Sequence, residues 1–277
     1  MSSFRLGVPA LLLGVSLLVS GVAAAPAAMA APGTPSVGSE KQPKAPTENE
    51  LTKDPASLLV LVNRDNALKP ANYKPKDLRT VAGSDSQLRD EAATALESLL
   101  DAARKDSLSP TVLSAYRSYD RQAALFNQYK ARYGVEFATR ISAPAGTSEH
   151  QLGLATDLGS RNTACDLKAC FGDTPEGKWL AKNVERFGFI VRYPADGEKV
   201  TGYKHEPWHL RYIGVDQALA MKAAKAKTFE EYHASLVKAT KVKPLTAEEM
   251  KQQRESLLIL RFLPPYRDWS IGYDFAR

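Results

Sequence analysis

Residues 205–209 read HEPWH, which matches the H-E-x-x-H signature of helical zinc proteases. In that signature, two His four residues apart bind zinc from one face of a helix, and the Glu acts as the base. Pro207 argues against a helix here, because proline lacks a backbone donor, clashes with the preceding turn and pushes Glu206 toward extended geometry. If this segment binds zinc, it must do so in another way.

Further candidate ligands lie about fifty residues upstream, in the segment GTSEHQLGLATDLGS. A catalytic zinc site usually has three protein ligands and one open position for water. The segment offers His150 and Asp157, and its second half alternates small or apolar residues with polar ones as a short strand would. Gly153 and Gly159 would allow the backbone to pack closely around a metal. His233, in an amphipathic stretch far downstream, is interpreted as structural.

Helices and short strands alternate around these residues without a regular βαβ rhythm, which predicts an α+β domain with a small sheet. The patterns indicate strands in SLLVLVN, TVLSAYRSY, GLATDLG, FIVRYP and WHLRYIG. Helices are predicted in SDSQLRDEAATALESLLDAARKD, DRQAALFNQYKARYG and DTPEGKWLAKNVERFG. Thr174 as the cap, Pro175 at the first position and Gly188 at the end mark the last of these. Three more helices are predicted, in VDQALAMKAAKAK, TFEEYHASLVKAT and TAEEMKQQRESLLILRF.

The N-terminus is typical of an exported protein. Within residues 1–30, Arg5 precedes an apolar run that ends in small residues suited to signal-peptidase cleavage. A retained membrane anchor is the alternative, but the run is short for one and no charged stop-transfer cluster follows. Residues 31–56 are rich in Pro, Ser, Lys and Glu, which predicts a disordered linker. We therefore expect a secreted, cell-wall-associated protein with no stable membrane span after signal removal.

Charge and cysteine content agree with that location. The net charge of +6 favours attraction to polyanions such as an acidic cell wall. Nucleic acid is a weaker interpretation, because the basic residues are scattered among acids without a basic stripe. Cys165 and Cys170 are close together in an exported chain, which favours a local disulfide. Metal ligation is the competing interpretation, but two thiols lack the second pair that a structural zinc site needs.

The motif S-x-H-x-x-G-x-A-x-D, at residues 148–157, is followed some fifty residues later by E-P-W-H. This order resembles the VanY-type D-alanyl-D-alanine carboxypeptidases, which belong to the wider LAS group of zinc peptidases that includes lysostaphin-type enzymes and hedgehog domains. LVNRDNAL, SAYRSYDRQ and FGFIVRYP agree with it, so the resemblance covers roughly residues 58–214. It implies a small antiparallel sheet with flanking helices, in a domain over residues 57–214. Residues 215–277 are then a C-terminal helical extension and tail.

The resemblance also implies the site. His150, Asp157 and His209 would bind one Zn²⁺, and Glu206 would be the general base. Arg117 would stabilise the developing oxyanion. Two weaker assignments concern substrate binding: Ser148 helps to hold the terminal carboxylate of the substrate, and Gln122 is a supporting residue in the Arg117 motif.

Each proposed catalytic residue could instead have a structural role. Arg117 could be a structural ion-pair partner, and Glu206 could support a ligand His by a hydrogen bond. Trp208 is interpreted as packing beneath the site. His205 is predicted not to bind metal, because neighbouring side chains on an extended segment point to opposite faces and Glu206 takes the site-facing one.

The leading hypothesis is an exported zinc D,D-carboxypeptidase that removes the terminal D-Ala from peptidoglycan stem peptides ending in D-Ala-D-Ala. A peptidoglycan endopeptidase that cuts an L-Ala-D-Glu bond is the nearer alternative. A catalytically silent zinc domain that binds cell-wall peptide is the other, although such a domain has no reason to keep a base. The sequence does not specify an oligomeric state.

Overall fold

Six short strands form two antiparallel sheets in the computed structural model, which describes residues 45–241 together with 249, 251 and 252. The two-stranded sheet pairs β1 with β2, and the four-stranded sheet has the order β3-β4-β6-β5. The strands are β1 Leu78–Thr80, β2 Gln87–Arg89, β3 Thr111–Ser114, β4 Ala155–Gly159, β5 Phe189–Tyr193 and β6 Glu206–Tyr212. This arrangement confirms the predicted α+β class with a small antiparallel sheet.

Eight helices surround the sheets in the described residues: α1 Glu48–Thr52, α2 Asp90–Lys105, α3 Tyr119–Tyr133, α4 Val135–Ile141, α5 Pro175–Asn183, α6 Glu198–Thr201, α7 Val215–Ala223 and α8 Phe229–Thr240. Short 3-10 turns lie at Glu149–Leu152, Thr163–Cys165, Ala169–Asp173 and Val184–Phe187. The predicted start of α5 is confirmed, since the Thr174 hydroxyl accepts from the Gly177 backbone and Pro175 opens the helix. The predicted end is not, because α5 stops at Asn183 and Gly188 instead ends the 3-10 turn that follows, with a left-handed backbone.

The larger core lies between the four-stranded sheet and α2. Helix α2 buries Ala92, Ala93, Leu96, Leu99, Leu100 and Ala103 along one face, as its amphipathic spacing predicts. The predicted start of this helix near residue 85 is wrong, because residues 87–89 pair with β1 and the helix begins only at Asp90. Pairing between strands therefore overrides the local helical pattern there.

A second core cluster joins the two ends of the described chain. Ile190 and Ile213 pack with Phe229 and Tyr232 of the C-terminal helices and with Leu51 of α1. Strand β5 contributes to both clusters, since Ile190 belongs to the second cluster and the adjacent Phe189 to the larger core. The residues after 214 that the structure describes are therefore part of the same packed unit and not an appendage.

Two predictions near residue 57 are wrong. The linker prediction for residues 31–56 fails in its last part, where Thr47 caps α1 with a capping box and Leu51 is fully buried. Residues 57–63 do not form the predicted strand, although Leu59, Val60 and Val62 are buried. The carbonyls of Leu58 and Val60 accept hydrogen bonds from the Arg211 guanidinium instead.

The predicted signal peptide, the linker up to residue 44 and most of the last predicted helix lie outside the described residues. Among the helices that the structure does describe, none combines the length and apolar character needed to cross a membrane.

Candidate active site

The sheet register brings the predicted metal ligands together. Asp157 on β4 lies directly opposite His209 on β6, and His150 lies in the 3-10 turn that precedes β4. Asp157 Oδ2 is 3.3 Å from His150 Nε2, and Asp157 Oδ1 is 3.3 Å from His209 Nδ1. One ligand atom from each of the three residues lies within 4.8 Å of the others, and all three residues are buried. Two imidazole nitrogens and one carboxylate form a donor set that zinc accepts.

Gly153 allows the turn between His150 and Asp157. Its φ of +64° is in the left-handed region, and a Cβ there would lie 2.8 Å from Leu78 Cδ2. The left-handed backbone conformation therefore favours glycine at this position.

A register shift in β6 brings Glu206 to the same site. Val191 pairs with Leu210 and Tyr193 with Glu206, so the β6 side is longer by two residues between these pairs. Without this irregularity, side chains three positions apart would face opposite sides of the strand. Instead, Glu206 Oε2 lies 3.6 Å from His209 Nδ1. Pro207 is tolerated in the irregular part because proline has no N–H to give to a ladder.

Each imidazole turns one nitrogen toward the cluster and the other toward a protein oxygen behind it. His150 Nδ1 lies 2.6 Å from the carbonyl of Ala115, an acceptor that requires the proton on Nδ1 and leaves the Nε2 lone pair toward Asp157. His209 Nε2 lies 3.6 Å from Glu149 Oε2, and both atoms are buried without a hydrogen-bond partner. These ring orientations fit a zinc ion held by His150 Nε2, Asp157 and His209 Nδ1.

Burial and charge shift the pKa values of the cluster. Burial lowers the pKa of His150 to about 4, and the nearby Arg117 adds to the shift. Burial also acts to lower the pKa of His209, but the carboxylates of Asp157 and Glu149 outweigh it and raise that pKa to about 9. Burial raises the pKa of Glu206 to about 7, against the opposing influence of His209. The pKa values of the neighbouring His150 and His209 are thus shifted in opposite directions.

Arg117 enters the site from the loop between β3 and α3. Its Nη2 lies 3.4 Å from Asp157 Oδ2, and its Nη1 donates to Gln122 Oε1 at 2.9 Å. The Gln122 amide nitrogen donates to the Ser142 hydroxyl and the Ala143 carbonyl, so the whole amide is occupied inside the protein. Gln122 therefore holds Arg117 in place, which agrees with a supporting role more than with direct substrate binding.

A cleft of about 1040 Å³ opens over these residues. It is lined by the metal-ligand cluster, Glu206, Arg117 and Ser148, together with Tyr193 and Tyr203. Ser148 is 5% exposed and borders the cleft just before the 3-10 turn that carries His150. The volume is sufficient for several residues of an extended peptide.

Cys165 and Cys170 form a disulfide, with their Cα atoms 5.4 Å apart. The residues between them contribute to the cleft wall, since Leu167, Lys168 and Ala169 all line it. The bridge therefore constrains a loop that borders the candidate site.

The other residues of interest lie outside the ligand cluster. His205 is not part of it; its ring faces the neighbourhood of Asp173 and Gly172. Trp208 packs against the larger core and also borders the cleft. His233 is buried, and its Nε2 lies 2.8 Å from the carbonyl of Leu51, as a structural residue would.

Sequence reasoning missed a buried group of charged residues beneath His209. Arg192 and Arg211 are fully buried in β5 and β6, and both donate to Glu149 Oε1, at 2.8 and 2.9 Å. Burial by itself raises the pKa of Glu149, but the two guanidinium groups reverse the shift and hold it well below its usual range. A signal was present in the sequence, because FIVRYP and WHLRYIG each place one Arg inside an otherwise apolar strand.

Comparison with known proteins agrees with this geometry. A sequence model of the VanY D-alanyl-D-alanine carboxypeptidases matches residues 85–215. The chain is 41% identical over 191 residues to YodJ of Bacillus subtilis (strain 168), a putative carboxypeptidase, and the match covers 66% of this chain and 69% of that protein. The chain belongs to the VanY family. That membership confirms the resemblance based on the two motifs and identifies the chain as a metallopeptidase of this family.

Two solved structures resemble the fold of this VanY-family chain. The LD-carboxypeptidase LdcB has a TM-score of 0.60 and 40% identity, and the match covers 65% of this chain and 87% of LdcB. The vancomycin resistance D,D-pentapeptidase VanY from a VanB-type cassette, solved as a point mutant in complex with Zn(II), has a TM-score of 0.56 and 33% identity. That match covers 64% of this chain and 98% of the other. The zinc in that relative agrees with the donor set of His150, Asp157 and His209.

Proposed function

We propose that this VanY-family chain is an exported zinc D,D-carboxypeptidase that removes the terminal D-Ala from peptidoglycan stem peptides ending in D-Ala-D-Ala. The observation that carries the proposal is the convergence of His150, Asp157 and His209, with Glu206 beside them, at the floor of a large cleft. One zinc per domain would be held by these three ligands. Bound there, zinc lowers the pKa of a coordinated water to about 7 and polarises the scissile carbonyl.

In this proposal, Glu206 moves the protons of the reaction. Its carboxylate borders the cleft and lies 3.6 Å from His209 Nδ1, so it would reach a water held over the ligand cluster. The carboxylate accepts a proton from that water as it attacks, and it then delivers the proton to the leaving amine of D-Ala. General acid-base groups of this kind typically contribute about 10² to 10⁴ in rate.

Arg117 supplies positive charge next to the reacting carbonyl. Gln122 holds one of its terminal nitrogens, and the other faces Asp157, so the guanidinium is fixed before substrate arrives. A preorganised cation of this kind stabilises negative charge as it develops on oxygen. Ser148, which borders the same cleft, would donate to the terminal carboxylate of the substrate.

Export is part of the proposal. The N-terminal pattern of residues 1–30 supports it, and the disulfide between Cys165 and Cys170 suits an oxidising compartment. The peptide substrate would then lie in the cell wall, to which a basic chain is attracted.

The direct test is release of free D-Ala from a stem pentapeptide by the zinc-loaded full chain. We expect one D-Ala per peptide from the wild type and at least about 10²-fold slower release from Glu206→Ala. No release from the wild type, or equal release from the variant, would contradict the proposal.

A second candidate is removal of the D-residue that follows an L-residue, which the similarity to the LD-carboxypeptidase LdcB favours. Mass spectrometry separates the two activities when stem pentapeptide and stem tetrapeptide are supplied in parallel. A D,D-enzyme shortens only the pentapeptide by one alanine, whereas an LD-enzyme shortens the tetrapeptide. Internal cleavage of the stem would instead indicate an endopeptidase, and tight binding without turnover a silent zinc domain.

A further inference from the structure

Helix α8 lies beyond the segment that matches the family model, yet its first turn contacts the charged residues beneath the zinc site. A capping box fixes its start: the Thr228 hydroxyl accepts from the Glu231 backbone, and the Glu231 carboxylate accepts from the Thr228 backbone. Phe229 is fully buried and anchors the same turn in the second core cluster. Glu230 is therefore held at a defined position.

Glu230 forms an ion pair with the two terminal nitrogens of the Arg192 guanidinium. Its two carboxylate oxygens accept from Arg192 Nη1 and Nη2 at 2.8 and 2.6 Å, a bidentate pairing. The remaining donor of the guanidinium, Nε, goes to Glu149 Oε1 at 2.8 Å. Arg192 is fully buried, so these two carboxylates are the acceptors that fix its orientation.

Glu149 connects Arg192 to His209, one of the proposed metal ligands. Its Oε1 accepts from both Arg192 and Arg211, while its Oε2 lies 3.6 Å from His209 Nε2, at ion-pair distance but beyond hydrogen-bond range. The partner of the non-ligating nitrogen orients the imidazole and raises its strength as a ligand. A chain of contacts thus runs from Glu230 through Arg192 and Glu149 to His209.

The charges of this group balance only when Glu230 is included. Arg192 and Arg211 carry two positive charges, and Glu149 supplies one negative charge. The second comes from Glu230, while the Phe229 ring lies against both guanidinium groups at 5.5 and 5.3 Å. Loss of the Glu230 charge would leave a buried excess positive charge next to a divalent cation site, and it would free two Arg192 nitrogens to compete for Glu149.

We propose that α8 is a positioning element of the zinc site and that Glu230 is its contact residue. This inference rests on the proposed zinc site and extends it, since it assigns a role to a helix outside the family match. A purely structural helix would affect stability alone, whereas a positioning helix also affects the affinity for zinc.

The test measures zinc affinity of the full chain by competition with a chromophoric chelator, after the metal has been stripped. We expect Glu230→Gln to weaken zinc binding about 10-fold, and Glu149→Gln by about 10 to 100-fold, because outer-shell partners contribute in that range. If Glu230→Gln does not fold, Glu230→Asp keeps the charge but shortens the reach, so it tests the bidentate contact with Arg192 alone and should also weaken zinc binding, by less than about 10-fold.

Two control variants separate positioning from stability. Glu97→Gln breaks a partly buried ion pair between α2 and Arg79, and Asp106→Ala, just after α2, removes the acceptor of the Trp179 indole nitrogen. Both are expected to lower the melting temperature of the metal-free chain and leave zinc affinity unchanged. Wild-type affinity in Glu230→Gln, or equal weakening in the controls, overturns the inference alone. Failure of the wild type to bind zinc overturns the proposed function as well, and no outcome depends on carboxypeptidase turnover.

Discussion

The floor and the rim of the cleft are built in different ways. The floor comprises His150, Asp157, His209 and Glu206, and its metal-ligand residues are at most 6% exposed. The rim includes Leu113 and Leu167, which are 37% and 50% exposed, and Glu198, which forms an exposed ion pair with Arg140. Behind each histidine of the floor lies a buried protein oxygen, whereas these rim side chains are exposed to solvent.

This difference indicates how the site divides its tasks. Chemistry needs groups held within a fraction of an ångström, and the floor obtains this from strand register and buried hydrogen bonds. Recognition of a long peptide tolerates movement, and loops on a rigid scaffold can provide it. We therefore expect changes in the floor to alter metal binding or kcat, and changes in the rim to alter KM.

Loss of a floor ligand has the largest expected effect. In Asp157→Asn the carboxylate charge between the two histidines is removed, so the chain should bind no zinc at stoichiometric concentration and release no D-Ala. Metal content per chain, measured by atomic absorption, checks this. His205→Asn is the matched control and should keep its zinc, because the apparent H-E-x-x-H match does not describe the site. The reverse result would mean that His205 and not Asp157 completes the site.

Loss of the base comes next. Glu206→Gln keeps the size of the side chain but not its ability to accept a proton, so kcat should fall by at least about 10² while zinc remains bound. Steady-state release of D-Ala, with zinc content measured on the same sample, provides both numbers. The control is Glu185→Gln, a similarly buried glutamate outside the cleft that pairs with Lys222. A variant that turns over at the wild-type rate would remove Glu206 from the mechanism.

Replacement of Arg117 by Lys should cost somewhat less. Lysine keeps a positive charge but does not reproduce the planar contacts to both Gln122 and Asp157. We expect kcat to fall by about 10², as for loss of one oxyanion-stabilising donor. Arg140→Lys, at the exposed pair with Glu198, should leave kcat near the wild-type value. An equal effect of the two substitutions would indicate that Arg117 is only a structural ion-pair partner.

The smallest effect belongs to the rim. Joint replacement of Cys165 and Cys170 by Ser frees the loop whose residues 167–169 line the cleft. KM for the stem peptide should rise while kcat and zinc affinity stay the same, and the loss of stability should be at most about 2 kcal/mol for so short a loop. A fall in kcat without a change in KM would contradict the division between floor and rim.

The sequence allows the residues of the floor to be predicted, but not the groups that contact them from behind. Motif order and spacing lead to His150, Asp157, His209 and Glu206, because each sits in a short segment with a distinctive pattern. The partners behind them come from distant parts of the chain: the Ala115 carbonyl and the Glu230 carboxylate have no local signature, since only the tertiary fold brings them close.

Prediction of the secondary structure fails for the same reason, where an element depends on a distant part of the chain. Helices with clear N-terminal caps, such as α5 and α3, begin at or next to the predicted residue. Residues 57–63 do not, because an apolar run of that length fits either a strand or a buried irregular segment, and a distant side chain, Arg211, takes up its carbonyls. The pairing of Gln87–Arg89 with β1 likewise depends on a partner strand that the local pattern does not reveal.

The most direct test of the central claim is anomalous diffraction at the zinc edge from crystals of the zinc-loaded chain. The predicted result is one strong peak at the floor of the cleft, bound by His150 Nε2, the Asp157 carboxylate and His209 Nδ1, with Glu206 beside it but not bound. A peak coordinated by His205, or one that lacks either His150 or Asp157, would contradict the zinc site on which the proposed function depends.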